Sequence, residues 1–126
     1  MISRIYKFGG ASVKDADAVR NLKNIIEKEN REDLMLVISA MGKTTNAIEK
    51  ALSDFRKNNG HLEITALSEI IGFHENIMID LFDGNTSHPV FEVMTNLFLD
   101  LYLNLQETGF DYDYQYDNTV SFGEIL

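Results

Sequence analysis

The residues best suited to chemistry lie near the amino terminus, in the run Lys7-Phe8-Gly9-Gly10-Ala11-Ser12. Glycines at the carboxyl end of a strand let backbone N–H groups approach an anion closely, and a helix that follows adds the positive end of its dipole. Lys7 sets a full positive charge beside that cradle. This combination suits phosphoryl transfer, in which charge spreads over the oxygens of the moving group. The same residues also read as an ordinary strand-to-helix turn with an exposed lysine, and local physics alone leaves the two readings level.

A second run, Ser39-Ala40-Met41-Gly42-Lys43-Thr44-Thr45-Asn46, has a similar setting. Gly42-Lys43-Thr44 imitates the end of a Walker A loop. That loop wants a glycine five positions before Gly42, and Val37 stands there in mid-strand, so a P-loop is rejected. Ser39, Thr44 and Thr45 read instead as hydrogen-bonding groups for a substrate or as helix caps, and capping is expected of one threonine. The histidines offer less. His74 falls on an apolar helical face and reads as a satisfied core histidine, while His61 and His88 sit at helix starts and read as solvated. Their spacing is not that of metal ligands, and no metal site is expected.

Several elements must position these groups. Ile2 to Phe8 reads as a strand entering a glycine turn, after which Ser12 or Asp15 caps a helix to about Glu29 with Val19, Leu22 and Ile26 in register. Leu34-Met35-Leu36-Val37-Ile38 is an unbroken apolar run, the pattern of a strand buried on both faces. Strand, helix and strand in this order make a βαβ unit, which brings both loops to one edge of the sheet. A helix follows from about Thr44 to Lys57, with Ile48, Ala51, Leu52 and Phe55 on one face. Longer helices are expected from Leu62 to Asp83 and, with Ser87 as cap and Pro89 in the first turn, on to about Gln106, with Gly109 as the stop. The alternating Asp111-Tyr112-Asp113-Tyr114-Gln115-Tyr116-Asp117 suits a strand with one tyrosine face, or a loop leading to a helix near Ser121-Phe122-Gly123-Glu124. The fold class is therefore α/β with a mostly parallel sheet. These helices call for at least three or four strands, and Glu124-Ile125-Leu126 carries no stop signal, so the 126 residues are expected to be one part of a larger domain.

Composition narrows the function. Eleven Lys and Arg against twenty Asp and Glu give a net charge of −9, which argues against a nucleic-acid or anionic-membrane binder. The complete lack of cysteine excludes disulfide scaffolds, thiolate metal sites and cysteine nucleophiles. The amino terminus lacks the apolar core of a secretory signal and no apolar run is long enough to span a membrane, so a cytoplasmic location is the default expectation.

Three patches together point further. Lys7-Phe8-Gly9-Gly10-Ala11-Ser12-Val13 resembles the KFGGTSV signature of aspartokinases. Val37-Ile38-Ser39-Ala40-Met41-Gly42-Lys43-Thr44-Thr45-Asn46 looks like the second loop of that family, and Asp117-Asn118-Thr119-Val120-Ser121-Phe122-Gly123-Glu124-Ile125-Leu126 is similar to its D-x-x-x-S-x-G-E-x-L stretch. The resemblance implies the αβα sandwich of the amino-acid-kinase fold, here incomplete and helix-rich. Residues 1–126 would be its amino-terminal, aspartate-binding part, with the nucleotide-binding half and the ACT-type regulatory domains further along.

The activity implied is transfer of the ATP γ-phosphoryl group to the side-chain carboxylate of L-aspartate, giving 4-phospho-L-aspartate, the opening step of lysine, threonine and methionine biosynthesis. By match, Lys7 would stabilise the transferring group, with Gly9, Gly10, Ala11 and Ser12 as the phosphate loop. Ser39 and Thr45 would face aspartate, and Glu124 would hold its α-ammonium. Mg²⁺ and most of the ATP would be bound beyond residue 126, so this piece alone is expected to be inactive. Its uncovered apolar sheet is expected to favour self-association, and the full-length enzyme to be a homo-oligomer. Ala11 departs from the family's threonine, which moves any hydroxyl contact with phosphate to Ser12 or a backbone N–H. The readings that compete are another carboxylate or phosphate kinase of the same fold and a non-catalytic α/β interaction module.

Overall fold

The computed structural model describes residues 1–58, 64–107 and 111–126. The expected roles of His61, Leu62 and Gly109 therefore lie outside the described residues. Strand β1 (Arg4–Phe8) runs into a 3₁₀ turn (Gly10–Val13) and helix α1 (Ala16–Glu29). Strand β2 (Leu34–Ile38) then leads to helix α2 (Thr44–Lys57). Helices α3 (Ile64–Leu81), α4 (Pro89–Gln106), α5 (Tyr112–Val120) and the short α6 (Phe122–Ile125) complete the chain.

The two strands are parallel, and their register runs from Arg4 opposite Leu34 to Phe8 opposite Ile38. Their carboxyl ends are thus level, and the two glycine-containing loops leave the same edge. Helix α1 begins at Asp15, whose carboxylate accepts the Ala18 N–H at 2.8 Å, and ends at Asn30 in a left-handed conformation.

The core is helical. Ile48, Ala51 and Leu52 of α2 meet Leu67 and Ile70 of α3 and Leu101 and Leu105 of α4. Met78, Met94 and Phe98 form a second cluster. The expected face of α2, Ile48, Ala51, Leu52 and Phe55, is buried throughout. On α4 the buried stripe is Met94, Phe98, Leu101 and Leu105, whereas Val93 is turned outward.

Three local expectations are corrected. Residues Met35 to Ile38 are exposed rather than buried on both faces, because the sheet among the described residues has two strands and the helices pack chiefly on one another. The tyrosine-rich stretch is helix α5, capped by Asp111 on the Tyr114 N–H at 2.8 Å. Its alternation is overridden by the helical pair Gln115 and Thr119, both buried against the other helices. Gln115 spends its amide on the carbonyls of Leu105 and Glu107, and its oxygen accepts from Arg56 at 2.8 Å. Finally, His88 rather than Ser87 caps α4, with Nδ1 accepting the Val90 N–H and the ring stacked on Phe82 at 4.1 Å.

The strand unit is also tied to the helical core by charge. Arg20 of α1 donates to both the backbone oxygen and the carboxylate of Asp80 on α3, each at 2.7 Å.

Thr119 is fully buried, and its hydroxyl has no hydrogen-bond partner among the described residues. Such a group carries its desolvation cost uncompensated, so Thr119→Val should stabilise the fold by about 1 kcal/mol. Leu101→Ala, at the centre of the core, should cost about 2–5 kcal/mol. Urea unfolding followed by circular dichroism reads both; a destabilised Thr119→Val variant would show that the hydroxyl is satisfied in solution.

Candidate active site

Both candidate loops stand at the carboxyl edge of the strand pair and are joined by backbone. Ser39 N–H donates to the Phe8 carbonyl at 2.9 Å, continuing the ladder past Ile38. Gly42 N–H then donates to the Gly10 carbonyl at 3.0 Å. Gly10 has to be glycine for this approach: a Cβ there would run into the Gly42 carbonyl oxygen and lie 2.9 Å from that of Ala40. Gly42 itself is left-handed, with φ 57°, and the Phe73 ring of α3 fills the space beside it.

Of the first loop, Gly9, Ala11 and Ser12 are exposed. Ser12 N–H closes the 3₁₀ turn on the Gly9 carbonyl at 2.8 Å, and the space next to Gly9 is open. Lys7 lies one residue before the end of β1. It is exposed and makes no ion pair with a described residue.

Ser39 and Glu124 are brought together. A cavity of about 360 Å³ is walled by Ser39, Ala40 and Met41 from the second loop, Val13 from the first, Val19 and Leu22 from α1, and Gly123 to Leu126 from the chain's end. Glu124 reaches it because Gly123 packs hard against α2, where an added Cβ would stand 2.7 Å from Thr45 Oγ1. Thr45 is therefore adjacent to the cavity through Gly123, without being one of its lining residues. Lys7 does not line it either.

On the other side of the second loop lies another cavity, also about 360 Å³, between Gly42, Lys43 and Thr44 and the α3 residues Glu69, Ile70 and Phe73, with Lys14 at its rim. Sequence reasoning passed over Lys14 and weighed Lys43 only within a rejected P-loop. Each simply follows a glycine-containing turn, the one sign that they belong with the loops. Like Lys7, they make no ion pair among the described residues, so three uncompensated ammonium groups flank the two loops of an otherwise acidic chain.

The expected threonine cap is not found. Thr44 Oγ1 donates instead to the Met41 carbonyl at 2.6 Å, and α2 begins at Lys43 without a side-chain cap. Thr44 N–H is also spent on the Met41 carbonyl, at 3.1 Å. His74 is buried, as expected of a core histidine. Burial pushes its pKa below the usual imidazole range, opposed by its hydrogen bond to the Ile70 carbonyl. Among the described residues no group of three His, Asp or Glu side chains is placed to hold a metal ion. A bound divalent cation would depend on ligand phosphates or on residues other than those described.

Comparison with known proteins gives a consistent result. A family model described as "Amino acid kinase family" matches residues 4–126. The chain is similar to Aspartokinase 1, chloroplastic, of Arabidopsis thaliana, at 33% identity over 130 residues, 99% of this chain and 22% of the relative. A shorter match to the aspartokinase of Bacillus sp. (strain MGA3) is 46% identical over 46 residues, 35% of this chain and 11% of that protein. Among solved structures, Escherichia coli aspartokinase III in complex with lysine and aspartate (T-state) superposes with a TM-score of 0.76 at 22% identity, over 99% of this chain and 27% of that one. The same enzyme in complex with aspartate and ADP (R-state) gives a TM-score of 0.74 at 22% identity, over 97% of this chain and 26% of that one. These superpositions establish the fold. The chain spans 9–22% of the length of the first curated relatives it matches.

Gly10→Ala should force the two loops apart. It should destabilise the chain by about 1–3 kcal/mol, as overpacking does elsewhere, with the largest amide shifts at Gly10 and Ala40–Gly42 in a heteronuclear NMR spectrum. Unchanged amides there would mean that the loops do not touch.

Proposed function

Since this chain belongs to the amino acid kinase family, we propose that it is the amino-terminal, acceptor-binding part of an aspartate kinase. The observation that carries the proposal is the pairing of Ser39 with Glu124 in one cavity at the edge where both glycine loops end. That cavity suits a small zwitterionic amino acid. Glu124 supplies a carboxylate for the α-ammonium group, and the Ser39 hydroxyl supplies a hydrogen bond. Thr45 stands behind Gly123 and sets how far Glu124 can reach.

In this reading the side-chain carboxylate of L-aspartate is already ionised at neutral pH and needs no general base. One of its oxygens attacks the γ-phosphorus of ATP. The bond from that phosphorus to the β,γ-bridging oxygen breaks, and ADP leaves with the bonding electrons. Catalysis then consists of positioning and of charge stabilisation. Lys7, exposed at the loop edge and free of ion pairs with described residues, is the cation assigned to the transferring oxygens. The open backbone at Gly9 and the Ser12 side chain are the groups assigned to phosphate. ATP brings Mg²⁺ with its phosphates, and the ion supplies further charge neutralisation when bound.

The test supplies ATP, Mg²⁺ and L-aspartate to the full-length protein, with hydroxylamine to trap acyl phosphate. Hydroxamate formed with L-aspartate but not with L-glutamate is expected. Lys7→Ala should lower kcat by about 10²–10³-fold, and Glu124→Gln should raise KM for aspartate with less effect on kcat. Absence of hydroxamate with aspartate would sink the proposal, and hydroxamate formed only with another carboxylate would reassign the acceptor.

A further inference from the structure

The Gly42-Lys43-Thr44 stretch, rejected above as a Walker loop, takes no part in the cavity with Ser39 and Glu124. It lines the other cavity of about 360 Å³, between the second loop and α3. That volume lies at the small end of the range for ligand pockets, enough for one compact body.

The body of this cavity is apolar. Ile70 and Phe73 of α3 and Ala47 of α2 supply the surface. These groups are held in place. Ile70 is buried within the helical core. The Phe73 ring lies edge-on to His74, with centroids 5.2 Å apart, and comes within 3.0 Å of where a Gly42 Cβ would stand.

Three charged side chains complete the lining: Lys14, Lys43 and Glu69. All are exposed, and none makes an ion pair with a described residue. Lys14 follows the 3₁₀ turn and Lys43 precedes α2. Their backbones are kept together by the Gly42 N–H on the Gly10 carbonyl. Two ammonium groups and one carboxylate leave a lining charge of +1.

This combination selects its ligand by three criteria. An apolar body gains by leaving water for Ala47, Ile70 and Phe73. One carboxylate is matched by the two ammonium groups. Glu69 opposes a second negative charge, so an inorganic phosphate or polyphosphate has neither the body nor the charge that fits.

We propose that this cavity is a binding site for a small monocarboxylic acid with an apolar body, separate from the acceptor site. It stands whether or not aspartate is the substrate.

Calorimetric titration of the full-length protein with phenylacetate as the probe tests it. A Kd below about 1 mM is expected. Phenylacetamide lacks the charge and acetate lacks the ring, and each should bind about tenfold more weakly. Lys14→Ala and Lys43→Ala should each weaken phenylacetate about fivefold, and the double variant should no longer prefer it to phenylacetamide. Glu69→Gln should tighten it about twofold by removing a repulsion. Glu124→Gln, in the other cavity, should leave its Kd unchanged.

Absence of binding would overturn the proposal and mean that the full-length protein fills this cavity with its own residues. Equal affinity for phenylacetamide, tighter binding of pyrophosphate than of phenylacetate, or a loss in Glu124→Gln with the lysine variants unaffected would overturn it too.

Discussion

The contact on which the rest of the site depends is between two main chains. Gly42 N–H reaches the Gly10 carbonyl, and Ser39 N–H reaches that of Phe8. The parallel ladder thus continues beyond the last residues of β1 and β2 into the loops. At Gly10 the second loop comes so near that no side chain fits, since a Cβ there would run into the Gly42 carbonyl oxygen. Once the loops are joined, the starts of α1 and α2 are fixed relative to each other, and the cavity with Ser39 has its wall. A second glycine, Gly123, plays the same part at the far end of the chain and brings Glu124 to that wall.

Charge is distributed to match. The chain is acidic overall, yet Lys7, Lys14 and Lys43 beside the loops have no carboxylate partner among the described residues. Elsewhere several cations are paired: Arg4 with Glu29, Arg31 with Asp33, Lys50 with Asp54. Asp33 also accepts from Ser3, and together these partners hold its carboxyl well below the usual carboxylate range. The net charge of the chain opposes an anionic ligand at long range, and the loop-edge lysines favour it nearby.

Much of this arrangement is written in local patterns. The run Leu34 to Ile38 announced a strand, and the βαβ order placed both loops on one edge, as the register confirms. The apolar face of α2 was equally plain, because helical spacing is a short-range signal, and Asp15 was one of two caps offered, with Ser12 the other. What escaped was decided by tertiary contact. Helix α5 was hidden because its buried positions, Gln115 and Thr119, are polar and its exposed tyrosines alternate. His88 displaced Ser87 as a cap because Phe82 offers its ring a stacking surface. The exposure of Met35 to Ile38 depends on which elements cover the sheet, and no residue in the strand encodes that. The packing of Phe73 on Gly42 arises only when α3 meets the second loop.

Two kinds of bond connect the strand unit to the helical core. The joined loops are held by main-chain hydrogen bonds and by Phe73 on Gly42, whereas α1 is held to α3 by Arg20 on Asp80, an exposed ion pair. Salt screens the second and leaves the first intact. Rising ionic strength therefore weakens the α1–α3 contact, by no more than about 1 kcal/mol, while the loop contact keeps its strength, so the two attachments of the strand unit respond differently to the same solution.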